Sequence, residues 1–356
     1  MQLKTKRFLL SLLLAPVLFS ASLTTGSANE PDTDLFGSDD NLEVAITAPW
    51  EELQRNEEYQ GAYPATIEFR APDGNVRTLP LTVERRGVKR QEACRFPPIK
   101  LRFEKDDVKG SLFQGEKSLK LVTHCQDADR YDQYYIIEMM AYRMYNLVTD
   151  YSFRVRPLTV NYIDADTGDE EPGRFAFVIE DDSDVAKRNG LKKLEIPRIS
   201  TAQLDPQTAS EFALFQLMIA NVDWSPLIGP DPEECCHNTK LIAPRPLEAD
   251  DLIQPVPYDF DTSGLVDAPY AYPPANLGIR SVTQRLYRGY CAHNETLPAA
   301  RQLYRDRQSD IMAVLDSDPR LADRTKRKAS RFLEKFFEIL EDDKDFERQV
   351  LTKCRK

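Results

Sequence analysis

Several residue types and patterns that mark common protein classes are scarce or missing in this chain. Only three of its 356 residues are histidine, and no cysteines stand in a Cys-x-x-Cys pair, so the usual spacing of a structural zinc site is lacking. No compact glycine-rich phosphate loop is present, because Gly87 is isolated and Gly110 and Gly115 are widely spaced. Basic residues number 47 against 58 acidic ones, which argues against a general nucleic-acid-binding protein.

Long apolar runs are equally rare, and the one that exists lies at the start of the chain. Lys4, Lys6 and Arg7 precede an apolar run from Phe8 to Phe19, and Gly26-Ser27-Ala28 resembles a cleavage site. The run is shorter than the roughly 20 apolar residues that span a bilayer. The pattern therefore predicts an export signal over residues 1–28 and a mature periplasmic or extracellular protein without a transmembrane segment. Loss of three positive charges would change the net charge from −11 to −14.

All six cysteines lie in the predicted mature chain. In an exported protein an even number of cysteines favours disulfides. His237 beside Cys235 and Cys236 is poor spacing for a metal site, because neighbouring side chains diverge. The sequence therefore predicts disulfides and leaves their pairing open. The six residues are Cys94, Cys125, Cys235, Cys236, Cys291 and Cys354.

The mature chain divides into a β-rich part and a helical part. Residues 29–40 are polar and acidic, which predicts a disordered leader. Residues 41–180 contain short segments of alternating apolar residues, typical of strands, and one clearly periodic helix over Tyr131–Val148. Residues 181–356 are mainly helical, with a helix over Thr208–Ala220 and an irregular, proline-rich middle. The order predicts an α+β fold.

The stretch Pro257–Gly264 joins a short apolar strand to two carboxylates. Asp259 and Asp261 are two residues apart, so on extended backbone their side chains point to the same side. Two neighbouring carboxylates repel each other unless a cation lies between them, and Mg²⁺ prefers oxygen ligands. The alternative is an aspartate-rich turn that ends the strand and binds nothing.

Further polar residues follow the order that phosphoryl transfer from ATP requires. Such a reaction needs a lysine at the phosphates, a carboxylate that holds it, an aspartate that orients the nucleophile, and oxygen ligands for divalent ions. Lys120 lies on a predicted strand, and Glu138 lies on the helix that follows. Asn221-Val222-Asp223-Trp224 closes the most apolar helix, and His237-Asn238 precedes a short strand. Each residue also has an ordinary interpretation, as a strand-edge lysine, a solvated helix position or a turn residue.

Taken in order, these stretches resemble the CotH family of kinase-like proteins. The resemblance covers roughly residues 80–270. It implies a two-lobed, kinase-like fold, with a β-rich N-lobe over residues 41–180 that contains one main helix, and a mostly helical C-lobe over residues 181–356. The matching motifs are Arg86-Gly87, Phe96-Pro97-Pro98-Ile99-Lys100-Leu101, Lys117-Ser118-Leu119-Lys120-Leu121, Asn221-Val222-Asp223-Trp224, His237-Asn238-Thr239-Lys240-Leu241 and Tyr258-Asp259-Phe260-Asp261.

The resemblance also implies roles for individual side chains. Lys120 would contact the ATP phosphates, with Glu138 as its ion-pair partner, and Asp223 would be the catalytic aspartate. Arg86 belongs to a basic cluster that faces either an anion or solvent, and here it would help to bind the nucleotide. Glu180 would mark the hinge between the lobes and complete the nucleotide-binding set.

Mg²⁺ would be held by Asn238 and Asp259, with Asp261 as the second choice for this role. The implied function is Mg-ATP-dependent phosphoryl transfer to a protein or an envelope molecule. Two alternatives stay open. The long gap between Asp223 and Asn238 and the missing glycine-rich loop favour a catalytically inactive envelope binding protein. A metal-dependent phosphoester hydrolase at the two aspartates would need more converging acids or histidines than the sequence offers.

Overall fold

Alternating apolar residues in the first half of the chain form the strands of a barrel, and a small second sheet follows later. The computed structural model describes residues 34–356 except 57–58, 60, 88–89, 91–92 and 231–234. The predicted signal at residues 1–28 and residues 29–33 of the predicted leader lie outside the described residues. The strands are β1 (Leu42–Ala48), β2 (Tyr63–Arg70), β3 (Val76–Arg85), β4 (Ile99–Arg102), β5 (Ser118–Val122), β6 (Val155–Asp164), β7 (Glu170–Ile179), β8 (Lys192–Lys193), β9 (Thr239–Ala243) and β10 (Gln254–Pro257).

Helices dominate the second half, and one long helix interrupts the barrel strands. The helices predicted over residues 131–148 and 208–220 are confirmed, as α2 and α4. The side chain of Asp205 accepts a hydrogen bond from the Thr208 amide and Pro206 is the first residue of α4, two ordinary signals of a helix start. The helices are α1 (Trp50–Arg55), α2 (Asp132–Asn146), α3 (Asp182–Arg188), α4 (Pro206–Met218), α5 (Leu297–Asp306), α6 (Gln308–Ala313), α7 (Asp323–Glu341) and α8 (Asp343–Gln349).

The first seven strands form a closed barrel in the order β1-β2-β3-β4-β5-β7-β6. Six of the neighbouring pairs are antiparallel. The ring closes through a parallel pair, β1 with β6, in which Val44 lies opposite Val160. Side chains alternate across each strand, so Val44, Ile46 and Ile67 are buried inside with their counterparts from the other strands.

The prediction of a two-lobed, kinase-like fold is wrong, because the β-rich part closes on itself as a mixed seven-stranded barrel. A period of two in the sequence predicts a strand but does not identify its neighbours, and the same pattern fits an open sheet and a closed ring. The closing pair joins segments far apart in the sequence, Leu42–Ala48 and Leu158–Asp164. The described residues belong to one compact unit.

Residues 34–40 also differ from the predicted disordered leader. Leu35 is buried with the barrel core, and its carbonyl oxygen accepts a hydrogen bond of 2.9 Å from Nη1 of Arg156. Nε of the same arginine donates a hydrogen bond of 3.1 Å to the carbonyl oxygen of Asp40. The segment is therefore fixed on the barrel by a buried leucine and by backbone contacts that its acidic composition does not reveal.

Helix α2 lies at the centre of the largest apolar core and fixes the loop that follows β10. Its residues from Tyr135 to Tyr145 are buried. The ring of Tyr142 packs 4.4 Å from that of Phe260, and Phe260 packs 5.2 Å from Phe215 of α4. Aromatic pairs of this kind add about 0.5–1.5 kcal/mol beyond the burial of their area. The loop carrying Asp259 and Asp261 is therefore held between two helices.

Three disulfides are present, which confirms the disulfide prediction. Cys94 pairs with Cys125, and Cys291 pairs with Cys354. The third joins the neighbouring residues Cys235 and Cys236. Among the described residues, no helix combines the length and the apolar composition that a membrane crossing requires.

Candidate functional site

The ring of Tyr258 brings together two lysines from different sheets. The Nζ atom of Lys120 lies 4.6 Å from the ring centroid, and that of Lys240 lies 5.2 Å from it. Lys120 is on β5 of the barrel, whereas Lys240 is on β9, opposite Val256 of β10. An aromatic face attracts cations electrostatically. Tyr258 therefore holds two ammonium groups that repel each other.

Arg86 adds a third positive charge to this group, which we call the lysine–tyrosine cluster (Arg86, Lys120, Lys240 and Tyr258). Burial, together with repulsion from Arg86 and Lys240, lowers the pKa of Lys120 to about 8. Asp182 opposes this effect and lies 4.0 Å from Nζ of Lys240. A buried lysine whose pKa is lowered in part by neighbouring cations is typical of a site that binds an anion.

In a second group, the Arg90 cluster (Arg90, Glu138 and Asp261), one cation is paired with two carboxylates. Nε of Arg90 donates a hydrogen bond of 2.9 Å to Oδ2 of Asp261 and one of 3.2 Å to Oη of Tyr270. Nη2 of Arg90 pairs with Glu138. All three charged side chains are less than one-tenth exposed, and buried charges are tolerated when they are paired in this way. The observed partner of Glu138 is thus Arg90, whereas the sequence predicts Lys120.

Asp259 lies between the two clusters. Burial and repulsion from Asp261 raise the pKa of Asp259 to about 6, while Arg90, Arg86 and Lys120 oppose the increase. Its backbone has a φ of 64°, a left-handed conformation that aspartate tolerates better than most residues. Its amide donates a hydrogen bond of 2.8 Å to Oη of Tyr142. The carboxyl group is therefore fixed in a place where ionisation is costly without a nearby cation.

Asn238 connects this region to Asp223. Its Nδ2 donates a hydrogen bond of 2.7 Å to the carbonyl oxygen of Asp223, and its own carbonyl accepts one of 3.3 Å from the Tyr258 amide. Ser225 and His237 exchange two backbone hydrogen bonds, of 2.9 and 3.1 Å. This pairing brings Asn238 beside Asp223 although the two residues are far apart in the sequence.

Asp223 and His237 form a pair on the wall of a cleft. Nε2 of His237 lies 2.7 Å from Oδ1 of Asp223. The cleft has a volume of about 550 Å³, and its lining includes Asp223, Thr262 and Tyr270. Oγ1 of Thr262 is buried without a hydrogen-bond partner among the described residues. At the rim, Tyr272 is 79% exposed. The cleft offers a carboxylate, an aromatic wall and a spare hydroxyl to a ligand.

Glu180 is buried directly after β7, next to Ile179, which pairs with Lys120. Its carboxylate accepts hydrogen bonds of 2.9 Å from Nε of Arg188 and 2.9 Å from the Arg154 amide. These contacts tie the last barrel strand to α3. Strand pairing therefore places Glu180 one residue beyond the partner of Lys120, but the Glu180 carboxylate contacts Arg188 and Arg154.

A divalent cation would depend on few protein ligands here. Within the described part of the chain, no group of three or more histidine, cysteine, aspartate or glutamate side chains is arranged to hold a metal ion. Asp261 is engaged by Arg90, which leaves Asp259 and the amide oxygen of Asn238 as the fitting donors among the predicted ligands. Mg²⁺ is commonly held by one or two carboxylates together with water and phosphate oxygens. The raised pKa of Asp259 fits a carboxyl group next to such an ion.

The central role of Arg90 was not predicted from the sequence. No role was predicted for Lys240, Tyr258 or His237 either, although all three lie inside the quoted motifs. The register of β9 against β10 places Lys240 beside Tyr258, and register is not visible in a single sequence.

Comparison with known proteins gave no match to any family model, curated protein or solved structure. The resemblance to the CotH family stays a prediction. Functional interpretation therefore depends on the side chains of the cleft and their charges.

Proposed function

We propose that this protein binds ATP or a related nucleotide with Mg²⁺ beside Tyr258 and transfers a phosphoryl group to a protein or an envelope molecule. The observation that carries the proposal is the lysine–tyrosine cluster, in which lysines from two sheets converge, and burial together with neighbouring cations lowers the pKa of Lys120 to about 8. A polyphosphate would add negative charge to that of the nearby Asp182. The proposal does not depend on a kinase-like fold.

Phosphate binding by the cluster follows from electrostatics. Charges that are partly removed from water interact more strongly than those in bulk solvent, and fixed cations that need no rearrangement stabilise the charge that develops during transfer. Lys120 and Lys240 are fixed by strand pairing and by the ring of Tyr258. Arg86 is anchored by a hydrogen bond of 3.2 Å from its Nε to the carbonyl oxygen of Ile99.

Asp259 and Asn238 would hold Mg²⁺, which would neutralise part of the phosphate charge. Their backbones are neighbours through the hydrogen bond between the Tyr258 amide and the Asn238 carbonyl. Both residues have positive φ, 45° at Asn238 and 64° at Asp259. Asparagine and aspartate are among the side chains that adopt this conformation most readily. These positions therefore suit residues with short oxygen-bearing side chains.

Asp223 would orient the acceptor hydroxyl and accept its proton. Its carboxylate faces the cleft, and the hydrogen bond to His237 fixes its position. Phosphoryl transfer requires mainly positioning and charge stabilisation, and a fixed carboxylate would supply the positioning. The three disulfides fit an oxidising compartment and support export as part of the proposal.

The proposal is tested by thermal unfolding of the oxidised protein with millimolar Mg-ATP, followed by an assay of phosphate transfer to itself or to an envelope extract. A ligand at about 100 times its Kd stabilises the native state by roughly 2.7 kcal/mol, which raises Tm. Asp223→Asn should keep the Tm shift and lose transfer. Lys109→Ala, an exposed lysine outside the cleft, serves as the control and should keep both. Absence of a Tm shift contradicts the proposal.

A second candidate function is nucleotide binding without transfer. The observation that favours it is the pairing of Glu138 with Arg90 in place of Lys120, whereas phosphoryl-transfer sites commonly pair the phosphate lysine with this carboxylate. A Tm shift with Mg-ATP and transfer no greater than that of Asp223→Asn would favour this function.

A further inference from the structure

A wide groove lies on the other side of the loop that carries Asp261. The N-terminal part of α2 and the first half of α7 form its walls, and Gly264, Leu265 and Val266 contribute to its floor. Its volume is about 1020 Å³, which is large enough for several amino-acid side chains. None of its lining residues belongs to the lysine–tyrosine cluster.

The groove is strongly basic, although the chain as a whole has a net charge of −11. One acidic residue, Asp129, lines it together with six exposed basic residues. Five of these six lie on α7, where each has another of the five three or four residues away, which places them on one side of the helix. The six are Arg130, Arg324, Arg327, Lys328, Arg331 and Lys335.

Little inside the molecule neutralises this row of charges. Lys328 pairs with Asp267 at 2.7 Å, but among the described residues no carboxylate lies within ion-pair distance of the other four α7 cations. Like charges four residues apart, such as Arg327 and Arg331, reduce the stability of a helix. The row of cations therefore lowers the stability of α7. Its positive charge is complementary to that of a negatively charged partner.

The shape and floor of the groove restrict the kind of partner. Half-buried Tyr134 and Phe332 lie beside buried Ile137 and Leu265, so the basic row borders an apolar surface. A flat bilayer does not follow a concave groove, and a long nucleic acid would extend onto the acidic remainder of the protein. A short peptide that carries both carboxylates and apolar side chains matches both features.

We propose that this groove binds an acidic peptide segment of a partner protein. Its carboxylates would contact the α7 cations, and its apolar side chains would contact Phe332 and Tyr134. This inference is independent of the proposed nucleotide function, because none of the groove residues is assigned a role in phosphoryl transfer.

The test is fluorescence anisotropy with the oxidised full chain and a short labelled peptide rich in glutamate with interspersed leucine and phenylalanine. We expect saturable binding that weakens as salt is raised, because screening is stronger when the Debye length falls below about 8 Å. Arg327→Glu with Arg331→Glu should weaken binding about tenfold or more, because each reversal places like charges opposite each other. A peptide with serine in place of leucine and phenylalanine should bind several-fold more weakly.

The matched control is Lys105→Glu with Lys109→Glu, which changes the net charge equally at two exposed positions outside the groove. It should leave peptide affinity within about twofold, since only general steering is altered. Equal weakening by both double variants would overturn the proposal. So would binding of anionic vesicles or a single-stranded oligonucleotide that depends on Arg327 and Arg331 while the acidic peptide fails to bind.

Discussion

Two charged clusters contact the same loop of this protein, and their charges are balanced in opposite ways. In the Arg90 cluster, one buried guanidinium is shared by the carboxylates of Glu138 and Asp261, so the cation is fully paired and acidic groups are in excess. In the lysine–tyrosine cluster, two lysines share an aromatic ring, and burial and neighbouring cations lower the pKa of Lys120 to about 8. Contacts within the protein account for the first cluster, whereas the second has an excess of positive charge that the proposed nucleotide would offset.

Breaking the Arg90 cluster should reduce the stability of the protein more than any other change considered below. Arg90→Ala leaves Glu138 and Asp261 buried without their cation, which should reduce the free energy of unfolding by about 3–5 kcal/mol. Urea unfolding at pH 7 measures this loss. Arg95→Ala removes a pair with Asp127 in which both side chains are more than half exposed, so it should cost about 1 kcal/mol or less. Similar losses for both variants would contradict the assignment of Arg90 as a structural anchor.

Removal of a charge from the lysine–tyrosine cluster should instead increase the free energy of unfolding. Lys120→Met removes a charge whose pKa is lowered by burial and by neighbouring cations, so the ligand-free protein should be stabilised by about 1–2 kcal/mol at pH 7. The same variant should lose the Tm increase caused by Mg-ATP. A destabilised variant that still responds to Mg-ATP would assign Lys120 to the fold and not to a ligand.

The stabilisation by Lys120→Met is expected to decrease at alkaline pH. Because the folded pKa of Lys120, about 8, lies below its ordinary value of 10.5, the unfolded chain binds more protons between these two values. Wild-type stability at this site therefore rises as the pH increases from about 8 to 10.5. The advantage of Lys120→Met should shrink over the same interval in parallel urea titrations. A constant difference would show that the pKa is not lowered.

Asp259 and Asp261 lie on the same loop, but substitution of each is expected to change stability in opposite directions. The pKa of Asp259 is raised to about 6 from 3.8, so its ionised form opposes folding above that pH. Asp259→Asn should stabilise the protein by about 1 kcal/mol at pH 7 and have less effect at pH 5. Asp261→Asn weakens the contact with Arg90 and should cost about 1–3 kcal/mol. Urea unfolding at both pH values distinguishes them, and equal effects would contradict the separate roles.

Tyr258→Leu should give the smallest change in stability. It removes two cation–π contacts, each worth about 0.5–1 kcal/mol at a partly exposed site, and leaves an apolar side chain at the end of β10. We expect a loss of about 1 kcal/mol in urea unfolding and a reduced Tm response to Mg-ATP. An unchanged response would show that the ring does not position Lys120 and Lys240.

The sequence predicts local structure well in this protein because apolar periodicity is strong. The helices α2 and α4 agree with the predicted positions within about two residues. Closure of the barrel could not be predicted, because it depends on a parallel pairing between Val44 and Val160. Alternation along one strand carries no information about its partner.

The candidate site could likewise be predicted only in part. Residue type and order place Lys120, Asp223, Asn238 and Asp259 among the candidates, since oxygen ligands and a lysine are what phosphate chemistry requires. The partner of Glu138 could not be predicted, because Arg90 reaches it only in three dimensions. Register between strands likewise brings Lys240 to Tyr258.

The proposed anion site is best tested by measuring the Lys120 pKa through NMR of lysine side-chain resonances, with Lys120→Met used to assign the signal. We expect a pKa near 8 in the ligand-free protein and a clear increase when Mg-ATP is added, because the phosphates add negative charge. An ordinary pKa that does not respond to Mg-ATP would contradict the claim that this cluster is an anion site.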